Sequence, residues 1–163
     1  MAQVYLSLGS NIDRGQHIRA ALDALAAQFG ELQVSRVFES EAVGFQGDNF
    51  YNLVVGLRTD LPVGRLAFQL RGIEDANGRL RAGPKFSART LDIDILVYND
   101  LTGTVDGVRL PRREITKNAF VLQPLAELAP DAVHPVENKT YHQLWSEYDQ
   151  ASQKLWPVEF IWP

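Results

Sequence analysis

The 163-residue sequence predicts an α+β fold in which helices pack on an antiparallel sheet. Three observations carry that expectation. Stretches with the two-residue alternation of strands are interleaved with stretches of helical periodicity. They run in the order strand, helix, strand, strand, helix, strand. No repeat, linker or low-complexity tract interrupts them, so a single domain over 1–163 is expected, close to the usual size of one hydrophobic core.

Residues 3–8, QVYLSL, alternate as a strand, and Gly9-Ser10-Asn11 is expected to end it as a turn and helix cap. Ile18, Ala21, Leu22 and Leu25 follow at the i, i+3, i+4, i+7 spacing of one buried helical face, with Gly30 placed to stop the helix. Leu32, Val34 and Val37-Phe38 suggest a second strand, leading into a polar, glycine-bearing loop from Glu39 to Asn49. A third strand covers 50–58, FYNLVVGLR. A second helix starts near Leu61-Pro62, carries Val63, Leu66, Ala67, Leu70 and Ile73 as its apolar stripe, and closes at Asn77-Gly78. The plainest strand is 90–98, TLDIDILVY, followed by hairpin turns around Asn99-Asp100 and Gly103 to Gly107. A short helix begins near Thr116 and another covers roughly 140–152. This order is the ferredoxin-like β-α-β-β-α-β pattern, an antiparallel sheet with helices on one face, here with an added C-terminal helix.

Composition bounds the function. The chain is 45% hydrophobic and 22% charged, as ordinary globular proteins are, and has no cysteine, which excludes disulfides, thiolate metal sites and a cysteine nucleophile. No apolar run approaches the roughly 18 to 20 residues of a membrane span, and MAQVYLSLGSN does not read as a secretory signal, so a cytoplasmic location is expected. The net charge of −4 argues against a general nucleic-acid binder. Yet Arg79, Arg81, Lys85, Arg89, Arg109, Arg112, Arg113 and Lys117 are half of the 16 basic residues. Such a local field suits a small polyanion such as a nucleotide polyphosphate, or is a solvated basic face.

The chemistry is concentrated in the strand at 90–98. Residues two apart share a face, so Asp92 and Asp94 point one way while Leu91, Ile93 and Ile95 point to the core. Backbones about 6 to 7 Å apart are too far for a carboxylate pair sharing a proton at about 3 Å, but suit two hard cations about 3.5 to 4 Å apart bridged to phosphate. Magnesium fits, because it takes one or two carboxylates and keeps several waters. Asp-x-Asp alone also fits an exposed strand face; Arg89 and the Arg79-x-Arg81 pair, able to clamp phosphate bidentately, favour the site. Asn52 within a strand needs hydrogen-bond partners if buried. Phe120, inside the apolar AFVL, by itself reads first as a core residue. His17, His134 and His142 have no metal-ligand spacing.

Several motifs together resemble one family, the 6-hydroxymethyl-7,8-dihydropterin pyrophosphokinases of folate synthesis. YLSLGSN (Tyr5 to Asn11), FYN (Phe50 to Asn52), GRLR (Gly78 to Arg81) with ARTLDIDIL (Ala88 to Leu96), and AFVLQPLAELAP (Ala119 to Pro130) resemble its blocks in order and spacing. The resemblance implies Mg-dependent transfer of the β,γ-pyrophosphoryl group of ATP to the acceptor's hydroxymethyl oxygen, leaving AMP. It implies that Asp92 and Asp94 hold two Mg²⁺ and that Arg79 and Arg89 steady the transferred charge. Glu74, Arg81, Ile95 and Arg112 would seat ATP. The pterin would lie between Phe50 and Phe120, with Asn52 on its amide edge and Ser40 and Val43 supplying further partners. The partners implied are these small molecules, with no nucleic acid or membrane, in a monomer or weak dimer.

The chain also departs from the family pattern. Ser87-Ala88 stand where Gly-Pro is usual, and Phe86 where an aromatic residue, often Trp, is common. Arg112 replaces a common His, and Asn118 replaces an Arg two residues before the stacking phenylalanine, with Lys117 a partial substitute. The tail from about 136, ending KLWPVEFIWP, matches no family block and is expected either to cover the core or to make a dimer contact. Two alternatives stay open: a diverged paralogue that binds nucleotide or pterin without efficient catalysis, and the same chemistry on a different pterin.

Overall fold

The computed structural model describes residues 1–41, 47–78 and 90–162. The first strand, β1 (Ala2–Ser10), buries Ala2, Val4, Leu6 and Leu8 on one face. Gly9 and Ser10 continue this strand instead of ending it. Helix α1 (Arg14–Phe29) buries the expected Ile18, Ala21, Leu22 and Leu25. Its N-cap is Asp13 without a side-chain cap bond, so the Gly9-Ser10-Asn11 segment does not cap it. Gly30 stops the helix at φ 80, a conformation glycine adopts without cost, while its N–H donates to Ala26 O at 2.9 Å.

The second expected strand is two short ones, β2 (Gln33–Val34) and β3 (Val37–Ser40), followed by β4 (Phe50–Thr59) and α2 (Val63–Ala76). Then come β5 (Asp92–Tyr98) and the hairpin β6 (Gly103–Val105) and β7 (Val108–Leu110). The turn residues Asp106 and Gly107 both have positive φ, 51 and 81, the signature of a tight hairpin. Asp106 Oδ2 also accepts the Gly64 N–H at 3.0 Å, satisfying an amide in the first turn of α2, whose N-cap is Pro62. The helix expected near Thr116 is two helices, α3 (Glu114–Lys117) and α4 (Ala119–Leu128). Thr140 caps the shorter α5 (Tyr141–Glu147) through the Gln143 N–H at 3.1 Å, and β8 (Leu155–Val158) ends the fold.

Strand β1 lies at the centre, antiparallel to β4 on one side and β5 on the other. The order across the sheet is β5-β1-β4-β3-β8, with β2 also on β4. Val4, Leu6, Leu8, Leu53, Val55, Leu57, Ile93 and Ile95 form one core with residues of α1 and α2. A second core joins Val54, Leu96 and Val97 to Ile115, Val121, Leu122, Leu125 and Tyr141. The expectation of helices on one face is therefore corrected: α3, α4 and α5 cover the other. The reason lies in α4, where six of ten residues are buried, so it has no broad polar side to turn to water.

The tail covers the core. Strand β8 pairs along β3 from Val37↔Val158 to Ser40↔Leu155, and Phe160 and Trp162 pack on the first core. Trp162 Nε1 donates to Asp23 Oδ1 of α1 at 2.9 Å. His134, given no role from sequence, is structural: it is buried, and its Nδ1 accepts the N–H groups of Val136 and Glu137 at 3.2 and 3.0 Å. Burial holds its pKa below the usual value and keeps that nitrogen free of a proton. Among the described residues no helix is long and apolar enough to cross a membrane.

Leu6 is fully buried at the centre of the sheet, whereas Phe68 on α2 is 72% exposed. Leu6→Ala is expected to cost about 2–5 kcal/mol in urea unfolding, and Phe68→Ala about 0.5 kcal/mol or less. Similar costs at the two positions would contradict the placement of the core.

Candidate active site

The acidic strand is an edge strand whose register with β1 sets Gly9 opposite Asp92 and Ser7 opposite Asp94. Ile93 and Ile95 enter the first core while Asp92 and Asp94 alternate with them and stay half-buried, so both aspartates occupy the face covered by α3 and α4. Between them, the Ile93 N–H donates to Glu74 Oε2 of α2 at 2.7 Å. Glu74 is only 5% exposed, and this bond locks the strand segment that carries both aspartates.

Arg112 is tied to the same strand. Its N–H donates to Leu96 O at 2.8 Å and its Nε to Ile95 O at 3.2 Å. That anchoring leaves Nη2 3.5 Å from Asp94 Oδ1. Ile95 thus contributes its backbone carbonyl, while its side chain belongs to the core. The Asp94 pKa is pushed up to about 7, first by burial and then by the neighbouring Asp92, with Glu74 and Glu114 adding to the rise and Arg112 opposing it. Carboxylates crowded this way against low-dielectric surroundings favour any cation that enters.

The second group of residues lies across β1. Gly9 is opposite Asp92 on one side and Asn52 on the other. Asn52 is buried, as is Ser40, and its Nδ2 donates to Ser40 Oγ at 2.7 Å. Phe50 is two residues from Asn52 on the same strand face, half-buried, and faces Ser40 in the register. Phe120 is in the first turn of α4, partly buried against the second core, so α4 supplies it over the face that carries Asn52 and Asp92. Gly9 was not singled out as a site residue from sequence. A Cβ there would meet Asn52 Oδ1 at 3.1 Å, so the missing side chain leaves room beside the amide. The signal was present in SLGSN, but a glycine before a polar pair reads first as a turn.

The structure therefore brings Asp92, Asp94, Glu74, Ile95 and Arg112 together on and around β5, and Ser40, Phe50, Asn52 and Phe120 across β1 from them. Arg79, Arg81, Arg89 and Val43 lie outside the described residues, as does the segment with Phe86, Ser87 and Ala88. A separate cavity of about 830 Å³ opens near Arg14, Arg19, Tyr51 and Phe160 and includes neither aspartate. Its Arg14 is bonded to Asn49 O at 3.0 Å and lies over the Tyr51 ring, 4.1 Å from the centroid.

Among the described residues no cluster of three or more His, Cys, Asp or Glu side chains can hold a metal ion by itself. Two hard carboxylates on one strand face fit a cation of the magnesium type, which completes its shell with water and substrate phosphate. Fold and site define an α+β protein with a polar, acid-lined site at one end of an antiparallel sheet. The chain belongs to the 7,8-dihydro-6-hydroxymethylpterin-pyrophosphokinase family, whose model matches residues 5–130. It is 37% identical over 142 residues to the 2-amino-4-hydroxy-6-hydroxymethyldihydropteridine pyrophosphokinase of Aquifex aeolicus, covering 85% of this chain and 88% of that one. The protein of the same name from Synechocystis is 33% identical over 159 residues, covering 92% and 80%. The solved HPPK-DHPS protein of Plasmodium falciparum superposes with a TM-score of 0.72 at 15% identity. That match covers 90% of this chain but spans only 45% of the solved one, so it speaks to the fold alone.

Asp94 has a folded-state pKa above its unfolded value. Its share of stability is therefore fully present below the ordinary carboxylate value near pH 4 and is lost as pH rises through about 7. Metal-free protein is expected to lose stability between about pH 4 and pH 7, and Asp94→Asn to flatten that loss. Urea midpoints in chelator check it; equal losses in both proteins would place the cause elsewhere.

Proposed function

We propose that this chain transfers the β,γ-pyrophosphoryl group of ATP to the hydroxymethyl oxygen of 6-hydroxymethyl-7,8-dihydropterin, giving AMP and the pterin diphosphate. The new bond joins that oxygen to the β-phosphorus, the bond between the β-phosphorus and the α,β-bridging oxygen breaks, and the hydroxyl proton leaves to solvent. The observation that carries the reading is the crowding of Asp92 and Asp94 on one face of an edge strand, in a chain of this family. Asp92 and Asp94 would hold two Mg²⁺ ions, which supply charge neutralisation and alignment of the polyphosphate.

The chain's own residues do the rest by positioning, as phosphoryl transfer generally requires. Glu74 keeps β5 in place through the Ile93 amide, and Arg112 presents a guanidinium beside Asp94 where the triphosphate would lie. Ile95 holds Arg112 through its carbonyl. Arg79, Arg81 and Arg89 would stabilise the charge that builds on the phosphates during transfer. Phe50 and Phe120 would sandwich the pterin ring, with Asn52, Ser40 and the backbone at Val43 on its polar edge. The Asn52–Ser40 bond fixes which atoms of the amide face outward, which a flat heterocycle with fixed donors and acceptors requires.

The order β5-β1-β4-β3, antiparallel throughout, supports a ferredoxin-like core within one domain over 1–163. We place the protein in the cytoplasm, as a monomer or weak dimer. A second reading is favoured by one observation. The Arg112 guanidinium already lies 3.5 Å from Asp94, where it can stand in for a cation, so the chain would bind pterin or nucleotide without efficient turnover.

AMP release from ATP, the dihydropterin and Mg²⁺ separates the two. The first reading expects turnover that disappears on chelation, and well-folded protein that binds both ligands by calorimetry without releasing AMP would establish the second. Asp94→Ala is expected to lower kcat by about a thousandfold or more, since it removes a metal ligand. The variant should stay folded, and in chelator near neutral pH its thermal midpoint should not fall below the parent's, because it lacks the half-buried carboxylate whose ionisation costs stability. Activity equal to the parent's would refute the metal assignment.

A further inference from the structure

The tail beyond residue 130 lies outside the segment that the family model matches, yet it touches two separate parts of the proposed acceptor site. Gln153 reaches the start of α4. Its Oε1 accepts the Ala119 N–H at 2.8 Å, and its Nε2 donates to Asn118 Oδ1 at 3.1 Å and to Lys117 O at 3.5 Å. Two residues on, Leu155 pairs with Ser40 at the end of β3. Further along, Phe160 packs edge to face with Tyr51, ring centroids 6.4 Å apart, on the face of β4 opposite Phe50 and Asn52, where it fastens the tail to the first core.

The contact at Gln153 is the telling one. The first amides of a helix have no partner within it and need an acceptor from elsewhere. Asn118, at the N-cap of α4, is a residue type suited to that task but makes no side-chain cap bond. Its side chain turns to Gln153 instead, and Gln153 supplies the missing acceptor from 34 residues away in sequence. Ala119 is the residue immediately before Phe120. The bond that Gln153 makes at the entry of α4 thus also bears on the residue that would cover the pterin.

We propose that residues 153–158 form a strap that positions the acceptor site, with Gln153 as the positioning residue for Phe120 and β8 as the brace for Ser40. The proposal rests on the pterin reading above. The strap's bonds given above fall on Lys117, Asn118, Ala119 and β3, so its effect is expected on the acceptor rather than on ATP.

The test is two-substrate kinetics on the full chain, with pterin binding by calorimetry alongside. Gln153→Ala is expected to raise KM for the dihydropterin about tenfold, the factor for losing one well-placed hydrogen bond, with KM for ATP within about twofold of the parent. Gln153→Glu keeps an acceptor for the Ala119 amide and should recover most of the loss. Trp162→Phe removes the bond to Asp23 on α1 and trims the packing on the first core, and serves as the structural control, with a lower thermal midpoint and no change in the ratio of the two KM values. An active parent whose Gln153→Ala variant shows unchanged KM for the dihydropterin, or an equal rise for both substrates, overturns the strap alone. A parent that neither binds nor consumes the dihydropterin overturns the pterin reading, and the strap with it.

Discussion

The whole site depends on one register, the pairing of β1 with β4 and β5 at Gly9. That residue stands opposite Asn52 on one side and Asp92 on the other, so a single position in the central strand couples the amide-bearing strand to the acidic one. Side chains in a strand alternate, so a slip of one residue in either pairing would turn its polar set toward the first core. The slip is resisted by the apolar alternation of the same strands. Leu6 and Leu8 in β1, Leu53 and Val55 in β4, and Ile93 and Ile95 in β5 are all buried together on the opposite face. Hydrophobic burial thereby fixes the geometry of groups that contribute little to it themselves.

The electrostatic character of the site follows from that packing. Asp94 is half-buried on the sheet face that α3 and α4 cover and feels the charges of Asp92, Glu74 and Glu114. Arg112 offsets part of this charge and is held in place by two backbone acceptors on β5. A protein gains no stability from such an arrangement of like charges. It is the kind of local cost that persists where a bound cation or substrate compensates for it.

Much of this was legible in the sequence, and the parts that were not share a cause. Asp92 and Asp94 could be assigned to one face because strand alternation is a local property. Asn52 and Ser40 were chosen through the family resemblance, while the bond between them depends on the pairing of β3 with β4, which no single segment declares. The second helical layer was missed because AFVLQPLAEL is apolar nearly all round and contains Pro124, which blurs its period. The strand in the tail was missed because its partner lies more than a hundred residues earlier and because Pro157 argues against a strand. Proline is tolerated there because β8 is an outer strand.

That last feature reaches beyond the active site. Without β8, the outer side of Val37–Ser40 would present open amides and carbonyls, the template on which unrelated chains stack. With it, the sheet terminates in a strand of four residues interrupted by Pro157, a poor surface for further growth. The segment proposed to brace the acceptor site would thus also keep the protein from polymerising through its own sheet.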